Sequence, residues 1–510
     1  MKRMVNQAER TETGSWLETK SSLLSLIALV LILGGVYTAT LLPGVGYSGD
    51  TAKFQFLGKI LGIPHPTGYP LYLVLNNLFV TLFPFGSVAY KANLLSAVFA
   101  VGGCAVLFRL LEYLGLKPLN ALTLALSFGL SYLFWSQAVI AEVYTLHLLL
   151  MVSVVFALIR WHSGEKRAFY VATGLYALSF GNHLTSITLL PAFIYLTLAT
   201  NIRVFVQPRK ILWVLGVVLL GMLQYSYLYL RYFNPDVYYA EVFNGTNLLT
   251  YVTGNDFKNV MFTFSWRQLL TERLTLALTL LSSSLPLLGL GALGIVTGLR
   301  RHKHVTLAVL LYFFTHTYYA MNYDIPDIAV YFIPSVLALA ILSGMALLAW
   351  QTPESAREAS REDPAPTSAW QESALALLLV PLALLILGYR QVDMSHDVAD
   401  KQGIEAALTE VQNDAIILTP TYDTYEYFLY YLLAEGWEEK DMYVAFFDGN
   451  IETSKAYLAD GTPYDLANTK NPPAGLRVFC YRCGDVAQLQ SLGFAVQPTG
   501  ATGLVGLELP

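Results

Sequence analysis

Residues 21–42, SSLLSLIALVLILGGVYTATLL, form an apolar run, and no charge occurs between Lys20 and Asp50. About twenty apolar residues cross a bilayer as a helix, so this stretch restricts the fold more than any other feature. Ten further segments have the same character: 91–114, 118–136, 139–160, 168–182, 184–200, 210–230, 273–299, 305–322, 328–350 and 373–389, making about eleven in all. The segment 69–84 is apolar but brief and bounded by Pro70 and Pro84, so it reads as a helix at the membrane surface. Composition agrees, with 55% hydrophobic and 13% charged residues, where soluble domains carry about a quarter charged. The expected class is an α-helical polytopic membrane protein.

The first twenty residues are polar, and no small-residue cleavage site follows the first run. That run is therefore read as a retained span and not as a signal peptide. A net charge of −5 argues against a nucleic-acid partner. Three cysteines are too few for a disulfide framework. Cys104 lies in an apolar run, and Cys480 and Cys483 form a lone CxxC that reads as a strand-end pair or a local disulfide.

Lys and Arg in short loops set orientation. The basic loops 160–167, 201–210 and 300–304 fall on one side when eleven spans alternate and 69–84 does not cross. That side is read as the cytoplasm, together with the tail 1–20. The expected division is then a transmembrane part at 21–390, with a first outer loop at 44–90, and an extracytoplasmic part at 391–510. The expected location is the plasma (inner) membrane. In the last part, 414–420, 442–447 and 476–481 read as strands and 424–436 and 485–493 as helices. This is the pattern of a small α/β domain. Tyr422, Asp423 and Glu426 follow its first strand, where ligands often bind, but acidic residues also suit a solvated helix start.

The uncommon polar residues gather on the expected outer face. Asp50 opens an apparent short interfacial helix with Phe54, Leu57 and Leu61 on one side and Lys53 and Gln55 off it. Asp50 or Ser48 can simply cap that helix. His65 stands between two prolines in GIPHPTGYPLY, residues 62–72, an irregular backbone that cannot face lipid. Glu142, His183, Asp324 and Asp327 sit in or beside turns between spans. Ionisable groups at such depths are functional candidates because they are costly in lipid. Arg231, after the tyrosine-rich stretch 224–233, is the best-placed cation for an anionic headgroup, and it can also snorkel to the interface. Asn244, Gly245 and Thr246 form an N-glycosylation sequon.

Residues 49–100, together with FWSQAVIAEVYTLH (134–147) and GLYALSFGNHLTSITLLP (174–191), resemble the transmembrane protein O-mannosyltransferase family, domain of unknown function 2723. The resemblance is good over about the first 200 residues, weaker over 225–335 and poor in the C-terminal part. It implies a layout similar to GT-C glycosyltransferases, which take a sugar from a polyprenyl-phosphate donor on the outer side of the membrane. Those enzymes place an essential acidic residue in the first outer loop, where Asp50 sits. Many have a second acidic residue there, whereas this chain has Thr51. No cofactor is indicated, and a divalent cation is compatible without being called for.

On this resemblance Asp50 is the expected catalytic base, and His65, Tyr69, Lys91, Glu142, His183, Arg231 and Asp324 are expected to bind donor or acceptor. Arg231, with Lys91 or His65 in reserve, would stabilise the leaving phosphate. The expected reaction is inverting transfer of a sugar, mannose by family, to an acceptor hydroxyl, Ser or Thr if the acceptor is a protein. The alternative is a lipid-linked sugar transporter. The grouping of polar residues at one face and the lack of a visible inverted repeat favour the enzyme.

Overall fold

The computed structural model describes residues 2–47, 49–234, 240, 243–351, 376–411, 413–437, 442–447 and 476–508, with backbone alone for 2–18, 256 and 285. Ser48, the alternative cap for the first-loop helix, lies outside the described residues, as does the start of the last expected span. Helices occupy all eleven apolar segments, as lipid requires of a backbone that must satisfy its own N–H and C=O groups.

They are α1 (Lys2–Ala39), α4 (Val88–Tyr113), α5 (Pro118–Gly129), α6 (Tyr132–Ala138), α7 (Tyr144–His162), α8 (Ala168–Ser179), α9 (Leu190–Asn201), α10 (Pro208–Leu223) and α11 (Ser226–Tyr232), followed by Leu274–Ser282, Leu285–Arg301, Lys303–Met321, Ile333–Trp350 and Leu379–Val392. Between α1 and α4 lie α2 (Thr51–Ile60) and α3 (Pro70–Leu82).

Eleven straight crossings are not what these helices form. Among the described residues six are long and apolar enough to cross, or eight if each of two bent pairs counts as one span. The α5–α6 pair bends by 72° at Leu130–Ser131. The expected span 273–299 is two helices at 100°, broken where a serine run meets Pro286, a residue that disfavours helix in its predecessor. The helices Ala168–Ser179 and Leu379–Val392 are short, with 12 and 14 residues.

The helix Ile333–Trp350 is almost wholly buried at the centre of the bundle. It is approached closely by Leu285–Arg301, whose Gly291, Gly294 and Gly298 face Leu339, Leu342 and Met345. Small residues permit such contact in membranes, where dispersion and not water exclusion drives helix packing.

The expected surface helix is α3, which exposes Val74, Leu78 and Leu82 along one stripe. By contrast, α2 is not interfacial. Every residue from Thr51 to Gly58 is buried, including Lys53 and Gln55. It is enclosed by α3, α4 and the helix Tyr422–Ala434 of the C-terminal part.

That part carries a five-stranded sheet in the order β2–β1–β3–β5–β4, with β1 (Ala415–Thr419), β2 (Met442–Phe446), β3 (Arg477–Tyr481), β4 (Ala495–Pro498) and β5 (Leu504–Glu508). β1 pairs in parallel with β2 and β3, while β5 pairs antiparallel with β3 and β4. The three expected strands and two expected helices are present, and the helix Ala399–Val411, β4 and β5 are additional. Cys480 and Cys483, at the end of β3, are joined as a disulfide.

The sheet domain is fastened to the first loop. The Tyr427 hydroxyl donates to the Tyr47 carbonyl at 3.1 Å, and the Ala89 amide donates to the Tyr430 hydroxyl at 3.1 Å. The Val88 amide donates to Glu435 Oε1 at 2.9 Å.

Candidate active site

The approach to α2 is a glycine-bearing turn held by Gln55. Its amide accepts from Gly46 N at 3.3 Å and donates to the Gly44 carbonyl at 3.2 Å and to Asn93 Oδ1 at 3.0 Å. Gly49 then takes φ +76°, open to glycine without a Cβ clash, and Asp50 follows at the N-cap position. Its side chain makes no capping bond. It faces Lys53 Nζ at 3.1 Å and His65 Nε2 at 3.5 Å, and is 36% exposed while Lys53 is 2% exposed. The two sequence readings thus separate: Asp50 has the position of a cap, but its carboxylate is turned to a cationic pair.

His65 is clasped on both nitrogens. Nδ1 lies 3.3 Å from Lys53 Nζ and Nε2 lies 2.9 Å from the Tyr69 hydroxyl. An ammonium only donates, so neutral His65 accepts at Nδ1 and carries its proton on Nε2, toward Asp50 and Tyr69. Protonated His65 instead adds a charge beside Asp50. Burial pushes the Asp50 carboxyl up, but the His65 and Lys53 charges and the Lys53 hydrogen bond outweigh it and leave it below its ordinary value. Tyr69 holds a left-handed backbone at φ +43°, a strained state for a residue with a side chain, immediately before Pro70 starts α3.

Glu142 reaches the same place from the turn before α7. Its Oε1 accepts from the Thr51 hydroxyl at 3.3 Å and its amide donates to Ser96 Oγ at 3.1 Å. Burial first, then the negative charges of Asp50 and Asp327, raise the Glu142 carboxyl well above the usual range. Asp327 is raised as well, by partial desolvation above all, although its side chain is still exposed at the surface.

His183 lies next to Tyr69, with ring centres 5.9 Å apart, and is surrounded by Tyr144, His147 and Tyr331. Its Nδ1 is 2.7 Å from the Thr185 hydroxyl. Burial, then the fields of His316 and His65, lower it to about 3, so it is a neutral ring at ordinary pH.

The structure thus brings Asp50, His65, Tyr69, Glu142 and His183 together. Three expected residues stand apart. Arg231 donates from Nε to the Leu61 carbonyl at 2.8 Å and from Nη2 to the Ile60 carbonyl at 2.9 Å. It closes the C-terminal end of α2, where a cation complements the helix dipole. Lys91 Nζ is 3.3 Å from the Val80 carbonyl, at the far end of α3. Asp324 is exposed, and its amide donates to the Val260 carbonyl at 2.8 Å. Asp327, one turn later, is the carboxylate whose field reaches the site.

Sequence reasoning missed the pairing of Lys53 with Glu426. Glu426 is not at a solvated helix start. It is fully buried, and its Oε1 lies 3.5 Å from Lys53 Nζ, with the Tyr422 ring centre 4.9 Å from the same ammonium. A lysine on the apparent polar side of a short helix, three residues after Asp50, was the available signal. Among the described residues no group of three or more His, Cys, Asp or Glu side chains is arranged to hold a metal ion.

The HPTGY loop is seated on α11 and on the short helix Leu248–Val252. Tyr227 donates to the Gly62 carbonyl at 2.8 Å, Tyr251 donates to the Pro64 carbonyl, and Gly68 leaves room for Leu228 and Tyr251. Beneath this seat runs an apolar groove of about 860 Å³ between α8, α9 and α10, lined from Lys210 past Val218 and Ile194 to Tyr225 and Leu248.

The helical bundle with its docked sheet domain defines the class: an integral membrane protein of the GT-C fold. ArnT from Cupriavidus metallidurans bound to undecaprenyl phosphate matches with TM-score 0.61 and 13% identity, over 94% of this chain and 97% of that one. The same protein in the apo state matches with TM-score 0.60 and 12% identity, over 97% and 98%.

Within that class the resemblance seen in the sequence holds. Residues 50–205 match the family model described as Protein O-mannosyl-transferase TMEM260 N-terminal domain. Protein O-mannosyl-transferase TMEM260 of Mus musculus is 36% identical over 137 residues, 26% of this chain and 19% of that protein. Its counterpart in Dictyostelium discoideum is 28% identical over 141 residues, 27% and 17% of the two. The match therefore spans less than a fifth of these curated relatives.

Proposed function

We propose that this chain is a membrane glycosyltransferase that moves a sugar, mannose by analogy with its relatives, from a polyprenyl-phosphate donor to a hydroxyl of an acceptor, Ser or Thr of a protein, with inversion. The observation that carries the reading is the Asp50 carboxylate, ionised and partly exposed, fixed by Lys53 and His65 beside the seat of the HPTGY loop. A hydroxyl is a weak nucleophile, and a carboxylate within about 2.6–3.2 Å takes its proton as it attacks. Asp50 does this, and the phosphate leaves from the opposite face of the sugar carbon.

His65 is the expected residue best placed to meet the leaving phosphate, since Arg231 and Lys91 are engaged elsewhere. Glu142, which keeps its proton, and neutral His183 with its tyrosines present hydrogen bonds and ring faces suited to a sugar. The apolar groove accepts the prenyl tail. The site and the C-terminal part lie on the extracytoplasmic side in this reading, and the N-terminus is cytoplasmic.

The test is purified protein given polyprenyl-phosphate mannose with and without acceptor peptide, following release of polyprenyl phosphate. Asp50→Asn is expected to lower turnover by about 10²–10⁴-fold while donor still binds. Near-normal turnover in that variant would remove Asp50 as the base.

A further inference from the structure

Lys53 is a fully buried ammonium on an almost fully buried helix. Among the groups that face it are Asp50 from the first loop, His65 from the HPTGY loop, and Glu426 and the Tyr422 ring from the sheet domain. Burying one ammonium costs several kcal/mol unless it is paired. Asp50 alone is a poor answer, because it is partly exposed and its lone pairs are needed for the acceptor. Glu426 supplies a second, permanently buried counter-charge from the opposite end of the chain. It is carried by the helix that follows β1, the strand end where α/β sheets place functional groups.

We infer that Glu426 is a positioning residue for the transfer reaction: the sheet domain holds Lys53 through Glu426 and so keeps Asp50 available as a base. With Glu426 in place, the Lys53 ammonium is drawn toward a buried carboxylate as well as toward Asp50. Without Glu426, more of the ammonium charge falls on Asp50, which becomes a weaker and less accessible base. The other charged groups whose fields reach Asp50 are Glu142, Asp327 and Asp423. The sheet domain is thereby a component of the site and not an appendage to it.

This inference rests on the transferase reading, so one assay addresses both. Donor turnover by the parent and its loss in Asp50→Asn support that reading. Glu426→Gln is then expected to lower kcat by about tenfold, as a weaker base would, with KM for donor unchanged. Glu426→Asp keeps the charge but retracts it by one methylene, and is expected to fall between the two; it also gives the answer if Glu426→Gln does not fold. Tyr427→Phe removes the bond to Tyr47 at the same interface while leaving the Lys53–Glu426 pair in place, and is expected to keep the parental kcat. A parental kcat in both Glu426 variants, or an equal fall in Tyr427→Phe, overturns the inference while leaving the base assignment of Asp50 intact.

Discussion

The negative charge of Asp50 reaches Glu142, yet their surroundings push the two carboxyls in opposite directions. Pairs of this kind divide labour, one carboxylate ionised and the other kept as an acid. The consequence for stability has a definite sign. Glu142 is raised in the folded state, so folding retains a proton that the unfolded chain releases near its ordinary value of about 4.3. Stability is therefore full below that value and declines as pH rises toward the folded pKa, by up to about 1.4 kcal/mol per pH unit. Glu142→Gln cannot lose that proton. Thermal unfolding in detergent from pH 4 to pH 7 should show the parent falling relative to Glu142→Gln, and parallel curves would mean that Glu142 is ionised in the native protein.

The helices Leu285–Arg301 and Ile333–Trp350 illustrate what an element can and cannot reveal in sequence. At Gly294 an added Cβ would overlap the Leu342 carbonyl, whereas at Gly289 it would meet nothing within 4 Å. Gly294→Ala should therefore lower thermal stability by about 1–3 kcal/mol through overpacking, and Gly289→Ala should leave it unchanged or improve it. Equal effects at the two sites would show that the helices can part. That these segments are helical was legible from their apolar length alone. The 100° break was not, because an apolar count passes over a serine run and a proline. Likewise β4 and β5 are four or five residues long and carry too little alternation to stand out. At the site, Asp50, His65, Tyr69, Glu142 and His183 were readable because membrane-edge polar residues are rare. Arg231 was assigned to phosphate because its charge is visible in sequence while its partners, two carbonyls at the end of α2, are not. The Lys53–Glu426 pair was hidden for the same reason, since it joins the first loop to the sheet domain.

Across the whole molecule, the candidate site and the apolar groove are lined by different residues, so the proposed chemistry and the proposed lipid recognition can be tested separately. Val218 lines the groove, and Asp50 is not among the groove's lining residues. Val218→Trp should raise KM for the prenyl donor by about tenfold or more, the cost of losing one to two buried methylenes or more of tail contact, with kcat and acceptor KM unchanged. A shift in acceptor KM instead would assign the groove to another ligand. The groove is also not closed off from its surroundings: Ile194, Leu215, Val218 and Met222 on its walls are all more than 40% exposed on the outside of the bundle. On the proposed function, a prenyl chain would slide in sideways without passing through water. The concentration governing turnover would then be the donor's mole fraction in the bilayer or micelle, so adding plain detergent should slow the reaction even when the amounts of enzyme and donor per millilitre stay fixed.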